Sequence, residues 1–310
     1  MELREMRAFV AVVEEGGLSA AARRLHVSQP ALSQTVTALE RELGVDLLTR
    51  SSTGVRPTEA GRTLLAEARA VLARYERAMS ALSRHTEPGG GLLRLGIPLE
   101  LPGDLLAGAL ADVGSRFPAT RVRARHLSTA AQFQALAAGE LDVGLVREHP
   151  AGGRLDASLV VAEPLGVLVT DAAAARLAGR GGARLEDLVG LHWVGFPRSA
   201  SPAWYDEVTA ILRSHGLDLG PVAPEGQELI PEVKFTAVLS GRAFALAPPH
   251  WSAPLPPGVT WLPLAGRPVV RRTWAAWPAS SRRRDLGGLV AALEAAYGGH
   301  NEGEEPGGKA

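Results

Sequence analysis

Apolar residues recur every three or four positions through most of the first 87 residues, the spacing that places them on one face of a helix. The first such stripe runs from Leu3 to Val13. A short second helix is predicted from Ala20 to Leu25, with Ser19 as its N-cap. A third helix begins after Ser28 and stops at Gly44. The chain therefore opens with a predicted all-α domain.

The second and third helices are joined by a tight turn at His26-Val27, which is a helix-turn-helix pattern. Two short segments follow, Leu47 to Arg50 and Val55-Arg56, and the turn residues between them predict a small two-stranded wing. Residues 1–58 are therefore assigned to a winged helix-turn-helix domain.

A long helix is predicted from Glu59 to Arg84, and residues 59–87 are assigned to it as a linker. One side of this helix is apolar and contains Leu64, Leu65, Ala68, Val71, Leu72, Tyr75, Met79 and Leu82. We interpret the stripe as a surface that pairs with the same helix of a second copy. Packing against the helix's own domain would also cover it, so both interpretations stay open.

Beyond a predicted hinge at residues 88–91, the pattern changes to alternating strands and helices, which indicates an α/β fold. Strands are predicted at residues 92–97, 121–127, 141–146, 165–169, 192–196, 243–247 and 269–277, and helices at 105–117, 129–138, 203–215, 230–240 and 283–297. The Gly/Glu-rich tail, residues 298–310, is predicted to be disordered.

The charges of the chain balance, because its 33 basic and 33 acidic side chains cancel, so any contact with a polyanion must be local. A sequence without cysteine excludes disulfides, thiolate catalysis and cysteine zinc sites. It has no apolar run of about 20 residues that could span a membrane, and its first residues lack the order of a signal peptide. We therefore expect a cytoplasmic protein with no membrane partner.

An enzyme built on the α/β part is the main alternative from another functional class. The eight histidines include no H-E-x-x-H pair, and the sequence contains no G-x-S-x-G elbow. We therefore assign no catalytic residue, metal ligand or cofactor. A periplasmic solute-binding protein would explain the α/β part but not the first 87 residues.

The first 65 or so residues resemble the LysR-type transcriptional regulators. The resemblance rests on three runs in order: A-A-R-R-L-H-V-S-Q-P-A-L-S at 21–33, L-E-R-E-L-G at 39–44 and T-E-A-G at 58–61. Gln34 departs from the family pattern, because a basic residue is common there. Ser52 and Thr53 occupy the wing tip, where the family often has an arginine.

The rest of the chain is similar to the same family more loosely, with its best landmarks at residues 136–145 and 238–248. The resemblance implies two α/β subdomains like those of periplasmic binding proteins. Subdomain I would comprise residues 92–162 and 267–297, and subdomain II residues 163–266. A small-molecule effector would bind in the cleft between them.

The resemblance also implies a homodimer through the linker helix and, from two dimers, a homotetramer. RNA polymerase would be a further partner if the protein is an activator; activation and repression stay open. A constitutive regulator whose cleft takes no ligand is the remaining alternative.

Double-stranded operator DNA would be read by the outward side chains of the third helix. Gln29 and Gln34 can each form two hydrogen bonds with adenine. Pro30 and Ala31 can contact a thymine methyl group. The residues better placed for phosphate are Ser28, Ser33, Thr37, Arg50 and Arg56. Ser28 could instead only cap its own helix.

For the effector, the resemblance points to residues in four segments: Pro98, Leu99, Glu100 and Leu101; Ser128 and Thr129; Arg198 and Ser199; and Gln227. The hydroxyls of Ser128 and Thr129 would lie at a helix N-terminus, where the dipole favours a carboxylate, although either could simply cap that helix. Arg147 and Arg198 could pair with an anion or be surface charges. Leu99 indicates a less polar corner and Glu100 would repel an anion, so the effector's chemistry stays open.

Overall fold

The computed structural model describes residues 1–51, 54–86, 91–177, 182–249 and 255–301. The chain divides into two compact units, one of four helices with a small hairpin and one of two larger sheets with their helices. No helix among the described residues is both long and apolar enough to cross a membrane.

The N-terminal unit is a winged helix-turn-helix. Its elements are α1 (Leu3–Glu15), α2 (Leu18–Leu25), α3 (Gln29–Leu43), the antiparallel strands β1 (Leu48–Ser51) and β2 (Gly54–Pro57), and α4 (Glu59–Thr86). Phe9 of α1, Val36 and Leu39 of α3, and Leu47 before β1 are buried together in its core. The predicted helix-turn-helix and wing are confirmed, while Ser52 and Thr53 lie outside the described residues.

The ends of the short helices follow from their capping residues, with one correction. The Ser28 Oγ accepts a hydrogen bond from the Ala31 amide at 3.3 Å, and α3 ends at Gly44 in the left-handed conformation, as predicted. The prediction that Ser19 caps α2 is wrong. That helix starts at Leu18, after Gly17 in an extended conformation, so Ser19 lies within its first turn. Leu18 packs against the core, which accounts for the earlier start.

Among the described side chains of α4, those that pack into the apolar clusters of its own unit lie in the first half of the helix. Leu64 and Leu65 pack against the core, and Leu72 packs on a smaller cluster formed by α1 and α4. Val71, Tyr75 and Met79 are 42%, 39% and 50% exposed. Of the two interpretations of the apolar stripe, packing within the unit therefore holds for the first half, and the second half stays open. The side chain of Leu82 lies outside the described ones.

The first sheet of the C-terminal unit has five strands. In spatial order they are β4 (Thr120–His126), β3 (Gly91–Ile97), β5 (Val143–Val146), β11 (Val270–Pro278) and β6 (Leu155–Pro164), packed with α5 (Gly103–Arg116), α6 (Thr129–Ala138) and α10 (Arg284–Asn301). Strand β3 pairs in parallel with β4 and β5, and β11 is antiparallel to β5 and β6. We call this sheet with its helices the five-stranded lobe.

The second sheet has four strands. In spatial order they are β10 (Val259–Pro263), β7 (Gly166–Thr170), β9 (Ala243–Ala247) and β8 (His192–Trp193), with α7 (Asp171–Leu177), α8 (Pro202–Ser214), α9 (Pro231–Leu239) and two short 3-10 helices, Leu185–Leu188 and Arg198–Ala200. Its core contains Val167, Leu188, Val208 and Phe244. We call it the four-stranded lobe.

The sequence missed β6, β10 and α7. In β6 the alternation of buried and exposed residues is broken by a β-bulge, because Thr273 pairs with Val161 and Trp274 with Leu159, which skips Val160. Val160 and Val161 are consequently both buried.

The two segments predicted to be irregular lie partly outside the described residues. Of the hinge at 88–91, the structure describes only Gly91, which begins β3. Helix α10 continues to Asn301, so the prediction of disorder is wrong for residues 298–301. A glycine costs a helix about 1 kcal/mol but does not end it, which is why Gly298 is not a stop. Residues 302–310 lie outside the described ones.

Candidate DNA-reading surface and inter-lobe cleft

Helix α3 buries one face and exposes the other. Leu32, Val36 and Leu39 point into the core. The exposed residues include Ser28, Gln29, Pro30, Ala31, Gln34 and Thr37, while Ser33 is half-buried. Arg56 on β2 is exposed, and the side chain of Arg50 lies outside the described ones. The outward face therefore combines amide, hydroxyl and apolar groups that can contact base edges and phosphates.

Glu40, which the sequence did not single out, fixes the wing against α3, and Thr58 of the T-E-A-G run joins the wing to α4. The Glu40 carboxylate accepts hydrogen bonds from the amides of Leu47 and Leu48 at 2.9 and 3.1 Å. Thr58 donates to the Asp46 carbonyl at 2.7 Å and accepts from the Gly61 amide at 3.0 Å, so it caps α4. The position of the wing relative to the recognition helix α3 is consequently fixed by these hydrogen bonds.

A cavity of about 390 Å³ lies between the two lobes of the C-terminal unit. Of the residues predicted to bind an effector, those that line it are Pro98, Leu99, Glu100, Ser128, Thr129, Arg147, Ser199 and Gln227. Leu101 and Arg198 are not among its lining residues. Leu101 packs against the core of the five-stranded lobe, and Arg198 forms an exposed ion pair with Asp206, with Nη2 2.6 Å from Oδ2.

Ser128 and Thr129 stand at the N-terminus of α6, where both hydroxyls already accept hydrogen bonds. The Ser128 Oγ accepts from the Ala131 amide at 3.3 Å and therefore caps the helix. The Thr129 Oγ1 accepts from the Arg147 amide at 3.1 Å. A hydroxyl that accepts one bond keeps its own hydrogen for donation, so both remain able to donate to an anion.

Arg147 is buried beside the cleft, so the interpretation of it as a surface charge is wrong. Its Nη2 donates to the carbonyls of Leu99 and Glu100 at 2.7 and 3.2 Å, and its Nη1 donates to Thr273. Burial, followed by the nearby Arg271, lowers the pKa of Arg147 to about 9. The guanidinium therefore stays positive at neutral pH without a carboxylate hydrogen-bonded to it among its described contacts.

Glu100 is held between two buried cations, so it is not the unpaired negative charge that the sequence suggested. Its Oε1 accepts from the Lys234 Nζ at 2.6 Å and its Oε2 from the Arg271 Nη1 at 2.7 Å. Burial alone would raise the pKa of Glu100, but the charges of Lys234 and Arg271 lower it below its ordinary value. The carboxylate is thus ionised and neutralised by its partners.

The same network continues into both lobes. Lys234 of α9 also donates to the Leu246 carbonyl at 2.8 Å, and Arg271 of β11 pairs with the Glu163 carboxylate at 2.8 Å. Sequence reasoning missed Lys234, Arg271 and Glu163. A signal existed for Lys234, because it is one of only two lysines in the chain and stands in the apolar run P-E-V-K-F-T-A-V-L.

An apolar wall faces these charges from the four-stranded lobe. Trp193, Phe196 and Trp204 line the cleft with Leu165, Val208 and Leu246. Trp193 and Phe196 meet edge to face, with ring centroids 5.9 Å apart. The cleft therefore offers both positive charge and a surface that a flat apolar group can contact.

Further polar contacts join the lobes. The Glu148 Oε1, which follows β5, accepts from the Ser201 hydroxyl at 2.7 Å and the Ala203 amide at 3.0 Å, at the start of α8. His126 Nε2 lies 3.4 Å from the Glu228 Oε1 at the mouth of the cleft. The contacts between the lobes therefore include polar pairs that a ligand could supplement or replace.

Two family models match the chain. Residues 3–62 match the model described as a bacterial regulatory helix-turn-helix protein of the lysR family, and residues 86–297 match the LysR substrate binding domain.

The similarity to relatives extends over nearly the whole of each chain. The chain is 30% identical over 283 residues to YnfL, an uncharacterized HTH-type transcriptional regulator of Escherichia coli (strain K12), covering 90% of this chain and 92% of the relative. It is 30% identical over 287 residues to the HTH-type transcriptional regulator BudR of Raoultella terrigena, covering 92% and 98%. It is similar to the crystal structure of full-length CbnR complexed with its target DNA, with a TM-score of 0.69 and 25% identity over 96% of this chain and 100% of that one.

Proposed function

Because this chain belongs to the LysR family of DNA-binding transcriptional regulators, we propose that α3 and the wing read its operator and that a small organic anion in the cleft controls this reading. The observation that carries the proposal is the cleft itself, in which buried cations face an apolar wall. An anion with an apolar body would satisfy both.

Operator reading is assigned to the outward face of α3. Gln29 and Gln34 pair with adenine, and Pro30 and Ala31 contact thymine methyl groups. Ser28, Ser33, Thr37, Arg50 and Arg56 contact phosphates. The similarity to a regulator crystallised with its target DNA supports this orientation.

Assembly follows from the exposed half of α4. Each unit offers few cationic side chains to DNA, so tight binding requires two recognition helices at once, joined by the α4 pair. Two such dimers form a tetramer. The protein acts in the cytoplasm, where promoter DNA is accessible. As an activator it would also contact RNA polymerase.

DNA reading is tested by capturing sequences from a random DNA pool with the full chain and with variants. Gln34→Ala is expected to relax the preference at one base pair, since a bidentate contact contributes about 1–3 kcal/mol of discrimination. Gln134→Ala removes an exposed glutamine from α6 and serves as the matched control. An identical motif for Gln34→Ala and the wild type would contradict the assignment.

A constitutive regulator is favoured by one observation, namely that the chain's own Glu100 and Glu163 pair with Lys234 and Arg271. Thermal unfolding in the presence of carboxylates and their neutral amide analogues separates the two functions. An anion-controlled regulator is stabilised by carboxylates in proportion to their occupancy, whereas amides have less effect. No shift with any compound would favour the constitutive regulator.

A further inference from the structure

Five charged side chains are buried together beside the cleft, and their charges do not cancel. Among the described residues these are three cations, Arg147, Lys234 and Arg271, and two anions, Glu100 and Glu163. Glu100 pairs with Lys234 and Arg271, and Glu163 pairs with Arg271. The group therefore has one positive charge in excess, contributed by Arg147, whose described side-chain contacts are carbonyl and hydroxyl oxygens.

An uncompensated charge in a buried site favours a counterion of the same magnitude. A ligand with one negative charge would balance the excess. A second negative charge at the same end of the ligand would have to be desolvated without a partner cation. The apolar wall of Trp193, Phe196 and Trp204 offers such a charge no partner on its own side.

Glu100 is held in position by contacts of its backbone as well as its side chain. It has a φ of +56°, an uncommon conformation for a residue other than glycine. Its carbonyl accepts from Arg147 and Arg271, while its carboxylate accepts from Lys234 and Arg271. All three buried cations therefore hold this one residue in place.

We propose that Glu100 is a built-in carboxylate that restricts the cleft to effectors with a single negative charge. The proposal rests on the proposed binding of an anion in this cleft. Glu100 uses up the positive charge that a second ligand carboxylate would need. Glu228 also lines the cleft, but its negative charge contributes little to this selection. Its side chain is 61% exposed, so its charge is screened by water.

Two aromatic probes that differ by one carboxylate test the proposal: benzoate, and phthalate, which has both carboxylates at the same end of the ring. Binding to the full chain is measured by calorimetry and by quenching of tryptophan fluorescence, because Trp193 and Trp204 line the cleft. The proteins are the wild type, Glu100→Gln, and Glu207→Gln as the control. Glu207 is a half-exposed carboxylate of α8 that pairs with Arg272 outside the cleft. The titrations are run at about pH 6.5, because burial lowers the pKa of Lys234 and the ammonium must be retained when its partner is removed.

The wild type and Glu207→Gln are expected to bind benzoate at least about 10-fold more tightly than phthalate. Glu100→Gln is expected to shift this ratio at least about 10-fold towards phthalate, because the buried excess becomes two positive charges. Phthalate binding by the wild type as tight as benzoate binding would overturn the proposal, and this comparison does not depend on whether the variant folds. An unchanged ratio in a folded Glu100→Gln would also overturn it. Binding of neither probe by any of the three proteins would reject the anion site itself, and charge selection with it.

Discussion

At Glu100 a single carboxylate experiences two opposing effects. Removal from water disfavours its charged form, while Lys234 and Arg271 at 2.6 and 2.7 Å favour it. The cations prevail, because the pKa of Glu100 lies below its ordinary value of 4.5. The ionised carboxylate is therefore part of what holds the two lobes together.

The pH dependence of stability follows from this lowered pKa. Glu100 stabilises the fold above its unfolded-state pKa, and this contribution is lost as the pH falls through the lower folded-state pKa. Glu100→Gln lacks the titrating group. We expect the wild type to be the more stable at neutral pH and its advantage to shrink below about pH 4.5. Urea unfolding of both proteins between about pH 3 and 7 measures this gap, and a gap that stays constant with pH would contradict the assignment.

Individual site residues differed in how far the sequence could predict them. Ser28 could be predicted as a cap because its partner, Ala31, is three residues away. The Glu100 network could not, because Lys234 and Arg271 are 134 and 171 residues away from Glu100 along the chain. Only the tertiary fold brings these charges together: Arg271 is in the same lobe as Glu100, and Lys234 comes from the other lobe. This pairing also explains why Glu100 does not act as a free negative charge.

At the scale of elements, the junction between the wing and α4 depends on a close backbone approach. Gly61 lies in the first turn of α4, where a Cβ atom would stand 2.0 Å from the Leu47 carbonyl oxygen. Leu47 in turn is bound through its amide to Glu40 of α3. A side chain at position 61 would therefore displace the wing relative to the recognition helix.

Gly61→Ala is expected to destabilise the N-terminal unit by about 1–3 kcal/mol, the usual cost of overpacking, and to weaken operator binding. Gly108→Ala is the matched control, because a Cβ there on α5 meets nothing within 4 Å. That change should instead stabilise its helix by about 0.5–1 kcal/mol. Thermal unfolding and DNA titration of both variants check this prediction. Equal effects of the two substitutions on stability and on operator affinity would contradict the claim that the close approach at Gly61 positions the wing.

Local patterns could predict elements whose ends are set by nearby residues. The recognition helix and α6 were predicted closely because each begins at a serine cap, and α3 also has a regular apolar stripe. Strand β6 was missed because its bulge at Val160 breaks the alternation that identifies strands. The end of α10 was misplaced because glycine was taken as a stop.

At the scale of the whole molecule, the proposed dimer depends on the exposed part of α4. Val71, Tyr75 and Met79 are spaced four residues apart on one side of that helix. The double variant Val71→Glu/Met79→Glu is expected to dissociate the dimer, because it would place charges in an apolar contact. Sedimentation velocity at several protein concentrations measures the oligomeric state. Ala66→Glu, on the opposite side of α4, is the control, and a double variant that stays dimeric would rule out this surface.

Control of DNA binding from the cleft is tested most directly by titrating the captured operator with the full chain, with and without the carboxylate that gives the largest thermal shift. Fluorescence anisotropy at fixed salt gives both affinities. We expect saturation of the cleft to change operator affinity by about 5- to 150-fold, the usual range of coupling between two sites. An operator affinity that is the same with the cleft empty and saturated would contradict ligand control.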